Sequence, residues 1–107
     1  MKEMIITTSG RVEGKEIIKT VGLVSGSTIQ ARHVGKDIRA GLKSIIGGEI
    51  TDYTKMMSDA RDEAVQRMVA DAEKKGANAV ISMRFATSMI MPNAAEVLAY
   101  GTAVVLK

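Results

Sequence analysis

The chain has no cysteine and no tryptophan, a single proline and a single histidine, and only three aromatic residues among 107. Without cysteine there is no disulfide, no thiolate nucleophile and no Cys-ligated zinc or iron–sulfur centre. With Tyr53, Phe85 and Tyr100 as the whole aromatic supply, the core must be built from Ile, Val, Leu, Ala and eight Met. A small core of that kind gives limited stability, and such domains often gain more by burying surface against copies of themselves. Long apolar runs are also missing, so no membrane span and no membrane partner are expected. The opening MKEMIITTSGR mixes charges early and has no sustained apolar stretch; it does not read as a signal peptide, and a cytoplasmic location is expected.

Charge is present in both signs but unevenly. Residues 1–48 carry eight basic and four acidic side chains, and residues 49–107 carry seven and eight, within a formal net charge of +3. An asymmetry this small fits an ordinary solvated surface better than a polyanion-binding face. The length fits one domain over 1–107, with no internal repeat, low-complexity tract or linker.

Periodicity divides the chain into six segments. EMIITTS (3–9) is short and β-branched and reads as a strand. KEIIKTVGLVSGSTIQAR (15–32) continues in strand-like chemistry, with Gly22 and Gly26 predicting bends or bulges in an edge strand. From Val34 the period changes: Ile38, Leu42 and Ile45 predict a short helix over about 34–46, ended by Gly47 with Gly48 beside it. A second helix is predicted over 51–75, with Thr51 as its cap and Asp52 at the positive end of its dipole. Tyr53, Met57, Ala60, Ala64, Met68 and Ala72 form its apolar face, Glu63–Arg67 and Asp71–Lys75 pair at i,i+4, and Gly76 closes it. This helix spans roughly 36 Å, which predicts that it overhangs its own sheet and offers its alanines to a neighbouring subunit.

The last two segments form a hairpin. NAVISMRFATSMIM (78–91) alternates, with Ala79, Ile81, Met83 and Phe85 expected on one face and Val80, Ser82, Arg84 and Ala86 on the other. Pro92–Asn93 turns the chain, and EVLAYGTAVVL (96–106), apolar nearly throughout, reads as a strand covered on both faces. The order β-β-α-α-β-β predicts an α+β domain, a mainly antiparallel sheet with two helices on one face.

Five blocks, VEGKEI, GLVSGSTIQAR, GGEITDYTKMMSDARDEAVQRM, KKGANAVISMRF and EVLAYGTAVVL, together resemble the YbjQ-like family of small bacterial and archaeal proteins. The likeness spans nearly the whole chain. It implies a dodecin-like subunit that assembles as a ring homopentamer. It implies no established reaction and brings no catalytic residues with it. Members often carry a heavy-metal-binding label.

The residues themselves limit what chemistry is available. One histidine, no thiol and Met residues mostly at core spacings supply no metal site within a subunit; the exception would be a ring axis that gathers His33 or Met91 from several copies. No catalytic Ser/His/Asp arrangement is recognisable. Glu49, Asp52, Tyr53, Arg61, Arg84 and Tyr100 are the polar residues expected to cluster near the glycine pair or on the sheet, as an acid–base site at a subunit boundary or as interface hydrogen bonds. A basic stripe of Arg32, Lys36, Arg39 and Lys43 lies on the first predicted helix, but the second carries six acids against five bases, which disfavours nucleic acid as a partner. No GxGxxG, no phosphate loop and few aromatics mean that no cofactor is expected, although a small molecule could enter a boundary pocket. The sequence therefore reads as a self-associating protein with a ligand-binding or scaffold role, with heavy-metal binding or an enzyme with an intersubunit site as alternatives.

Overall fold

The computed structural model describes residues 3–31, 50–92 and 94–107. Four strands and one helix are present among them: β1 (Ile5–Ile6), β2 (Ile17–Ala31), α1 (Ile50–Lys74), β3 (Ala79–Met91) and β4 (Ala94–Leu106). The sheet has the order β1-β3-β4-β2. β3 and β4 pair antiparallel as a hairpin, β4 pairs antiparallel with β2, and β1 pairs parallel with the start of β3. The fold is α+β with a mixed sheet in which antiparallel pairing dominates. The predicted helix over 34–46, its basic stripe and the Gly47–Gly48 joint lie outside the described residues. The EMIITTS segment forms only a two-residue strand, and its parallel pairing was not foreseen, because a run this short carries no signal of partner or direction.

α1 follows its sequence closely. Ala60, Ala64, Met68 and Ala72 are fully buried, with Met57 packed beside them. Thr51, expected as the cap, lies within the first turn. At the other end Gly76 takes φ 83°; its N–H donates to Glu73 O at 3.0 Å and the Ala77 N–H to Ala72 O at 3.0 Å. These two bonds form a Schellman closure, which needs the left-handed conformation that glycine adopts without a Cβ penalty. Arg67–Glu63 (2.7 Å) and Lys75–Asp71 (3.4 Å) pair along the solvent side.

The alanine face does not await a neighbouring subunit. It closes on β2 and β4 of the same chain, where Val24, Val97, Ala99 and Ala103 complete the core. The overhang argument fails because the sheet is long too. β2 has 15 residues and α1 has 25, which are about 50 Å of strand against about 37 Å of helix. Small side chains then serve to bring α1 down onto its own sheet.

The closest approach is at Gly26. A Cβ there would stand 2.3 Å from both Ala64 O and Met68 N, which are helix backbone atoms. Gly26 is thus neither a bend nor a bulge; it is where the helix axis touches the strand. The bulge expected nearby falls at Thr20/Gly22, with a second at Ile17/Lys19. Beside the contact, the buried Thr28 hydroxyl donates to Ala60 O at 3.1 Å, so no polar atom is left unpaired there.

β3 departs from simple alternation. Ser82 takes φ 52°, and the register with β4 shifts between Ile81 and Arg84. A bulge moves every later side chain to the other face. Val80 and Met83 therefore both enter the helix-side core, while Ala79 and Ile81 join Val104, Leu106, Ile5 and Val12 in a small cluster on the other side. The face assignment read from the sequence holds up to Ile81 and is inverted beyond it for Met83 through Ala86. Asn78 locks the hairpin base: its side chain donates to Leu106 O (3.0 Å) and accepts from Leu106 N–H (2.7 Å).

A substitution tests the helix seat. Gly26→Ala has no flexible side-chain end to displace and must lift α1, so stability should fall by about 3 kcal/mol, or at least about 10 °C in Tm. An unchanged melting temperature would mean that α1 does not rest on β2 at this residue.

Candidate functional site

The bulge organises the polar residues of the helix-free face. Loop residues Thr7–Arg11 lie along the bulged part of β3, held by backbone bonds from Ser82 N–H to Ser9 O (2.8 Å) and Met83 N–H to Thr7 O (3.0 Å). The loop is stiffened by its own hydroxyls: the Ser9 N–H donates to Thr7 Oγ1 (3.1 Å) and the Arg11 N–H to Ser9 Oγ (3.3 Å). Arg84 fastens the arrangement. Its Nη1 donates to Thr8 O at 2.9 Å and to Met83 O at 2.8 Å.

Tyr100 stands directly across from Arg84 on β4, with Ser25 beyond it on β2. These three form one row of the helix-free face. The neighbouring rows are Ser27–Leu98–Ala86 and Ile29–Glu96–Ser88. Glu96 is the carboxylate on this part of the face, and it lies four residues from Tyr100 along β4, about 13 Å away. Arg84 and Tyr100 therefore meet without an acid beside them, and the guanidinium is engaged by carbonyls.

The other expected site residues fall elsewhere. Arg61 is exposed on α1, which packs against the opposite face of the sheet, so the strands separate it from Arg84 and Tyr100. Asp52 and Tyr53 belong to the first turn of α1, on the helix layer with Arg61; their side chains lie outside the description. Glu49 and His33 are outside the described residues. The structure joins two of the six, Arg84 and Tyr100.

Sequence reasoning overlooked an open cleft of about 490 Å³ at the C-terminal end of α1, lined by Glu3, Met4, Glu73, Ala77, Asn78 and Val105. Nothing in the sequence places Glu3 beside Glu73; the parallel docking of β1 does. Also unforeseen were Asn78, Thr28 and Ser82, whose roles depend on partners far along the chain.

Heavy-metal chemistry is tested by the donors. Among the described residues no group of three or more His, Cys, Asp or Glu side chains could hold an ion. The two thioethers of Met89 and Met91 are both exposed at the hairpin tip, with no other soft donor described beside them. The described residues therefore do not fit a heavy-metal centre. No helix described here is long and apolar enough to cross a membrane.

Comparison with known proteins gives the family. A family model described as "Putative heavy-metal-binding", YbjQ_1, matches residues 4–107, and the chain belongs to this family. It is 61% identical over 101 residues to a UPF0145 protein of Methanosarcina acetivorans, covering 94% of this chain and 95% of that one. It is 59% identical to UPF0145 proteins of Dehalococcoides mccartyi strain 195, with 97% and 100% covered, and of Clostridioides difficile strain 630, with 97% and 93%. A crystal structure from Pediococcus pentosaceus, of a protein with unknown function in the DUF74 family, superposes with TM-score 0.69 over 97% of this chain and 98% of that one, at 22% identity. That likeness concerns the fold.

Removing the Arg84 side chain tests its fastening role. In Arg84→Ala the freed carbonyls can be hydrated, so global stability should fall by only about 1 kcal/mol. The local effect should be larger: exchange of the Ser82 and Met83 amides should quicken about ten-fold while that of Ala103 stays as it was. Equal exchange at Ser82 and Met83 in both proteins would remove the guanidinium from this role.

Proposed function

We propose that this chain is a self-associating protein, a ring homopentamer with a ligand-binding or scaffold role at its subunit boundaries. One observation carries the reading: the distal half of the helix-free sheet face exposes large apolar side chains among its polar ones, and nothing described covers it. Leu23 and Ile29 are 70% and 62% exposed there, and Ile90, Leu98 and Ala86 share the face with Ser25, Ser27, Ser88 and Tyr100 and with the charges Arg84 and Glu96. A sheet face left on water normally turns polar residues outward, so large apolar side chains left uncovered on it favour a contact. The elongated shape agrees, since the radius of gyration is 17.2 Å against about 13 Å for a compact chain of this length. The pentameric form rests on the family resemblance. Boundaries of such rings are common places for small-molecule pockets.

The mass in solution is the test. Light scattering after size exclusion should give a particle of five 11.4 kDa chains or a multiple of five. A monomer at micromolar concentration would overturn the proposal.

The family description also motivates a titration. With tags removed, calorimetry with Zn²⁺, Cu⁺ and Ni²⁺ should give no submicromolar site at one ion per subunit, because the donors described are too few and too dispersed. Tight binding at that stoichiometry would refute this. One ion per ring, lost in His33→Ala, would instead place a site on the symmetry axis.

A further inference from the structure

The outer edge of β3 from Arg84 to Met91 is unpaired among the described residues, because β1 covers only the beginning of that strand. The other long edge of the sheet is defended. On β2 the Ser25 N–H donates to Asp71 Oδ2 (3.3 Å), Ser27 O accepts from Arg67 Nη1 (2.5 Å) and Leu23 O accepts from Lys75 Nζ (3.4 Å). Two side chains of α1 and Lys75 just beyond it thus occupy its outward backbone groups, and the two bulges over 17–22 break the remainder. These are devices by which native sheets prevent edge-to-edge pairing. The β3 edge is less protected: its register shifts fall at the two ends of the stretch, between Ile81 and Arg84 and between Met89 and Met91, RFATSMIM carries one charge, already engaged, and proline comes only after it.

We propose that this edge is an interaction surface for the same edge of a second copy, the two β3 strands pairing antiparallel about a two-fold axis at Thr87. The inference rests on the reading that the chain self-associates and names one contact through which it does so. Backbone direction sets the register. Met83 N–H and Met83 O both face outward, toward Thr7 O and Arg84 Nη1, so alternation turns the N–H and C=O of Phe85, Thr87 and Met89 outward as well. Centring on Thr87 then pairs Thr87 with Thr87 of the other copy and Phe85 with Met89 in both directions, six hydrogen bonds in all.

The side chains agree with that register. Each Phe85 meets a Met89 thioether, a favourable sulfur–aromatic contact. The two threonines form a hydroxyl pair at the centre. The two Arg84 stand three residues to either side of the axis, each held to its own loop, so no like charges oppose. The edge, with the exposed Phe85, Met89, Ile90 and Met91, offers on the order of 1,000 Å² over two copies, the threshold for a specific interface. With the ring contact assigned to the helix-free face and this one to the β3 edge, both together give a particle of ten chains.

A cysteine-free chain makes the test clean. In Thr87→Cys the paired Cα atoms stand about 5.5 Å apart, within disulfide reach. Mild oxidation should convert most of the protein to covalent pairs. Ser88→Cys, whose counterpart lies beyond about 7 Å in this register, should cross-link at least ten-fold more slowly. Thr87→Lys, a charge on an exposed edge, should halve the native mass while leaving circular dichroism unchanged. An assembly whose mass Thr87→Lys does not alter, or cross-linking no faster in Thr87→Cys than in Ser88→Cys, overturns the edge contact and leaves self-association standing. A native monomer overturns both.

Discussion

The contact between Gly26 and the backbone of α1 at Ala64 and Met68 is the constraint from which the rest follows. With helix and strand that close, the helix presents mostly small side chains, Ala60, Ala64 and Ala72, with Met68 as the one long side chain buried among them. The same closeness lets Arg67, Asp71 and Lys75 reach over the edge of β2 and bond its outward amide and carbonyls. One steric requirement thereby seats the helix, fills the core without large aromatics, and closes one side of the sheet to pairing.

The second determinant is the bulge at Ser82. It places a left-handed serine in a strand, a conformation uncommon outside glycine and held here by the Ser9 carbonyl and the register of β4. Because side chains alternate strictly along a strand, this one irregularity decides which residues share a face. It sends Met83 into the core, sets Arg84 opposite Tyr100, and lets the 7–11 loop lie along β3. It also ends the cover that β1 gives, so the strand continues toward the hairpin tip with an edge that no described residue pairs.

Membership of the family does not by itself assign chemistry. The described side chains hold few convergent donors, and the strongest polar feature, Arg84, is occupied with backbone carbonyls. A site completed by residues from another copy belongs to the proposal of self-association, and the uncovered surface in the distal half of the sheet, among the described residues, is what supports it. The cleft between Glu3 and Glu73 is the exception, a concavity formed within one chain.

What the sequence determined by itself was local. The 3.6-residue spacing of Met57, Ala60, Ala64, Met68 and Ala72 was enough to mark α1 and its buried face, and Gly76 was enough to end it, since both depend on residues within one or two turns. The hairpin was legible from β-branched runs around Pro92, and the family from motifs spread over the chain. What only the tertiary structure decided involved partners distant in sequence. These were the parallel direction of β1, the role of Gly26, the face on which Arg84 lies, and the separation of Arg61 from Tyr100 by the sheet. The reason is physical. A bulge and a close approach are each set by the strand or helix opposite, so residue type at one position cannot specify them, and a slip of one residue is enough to turn every following side chain to the other side.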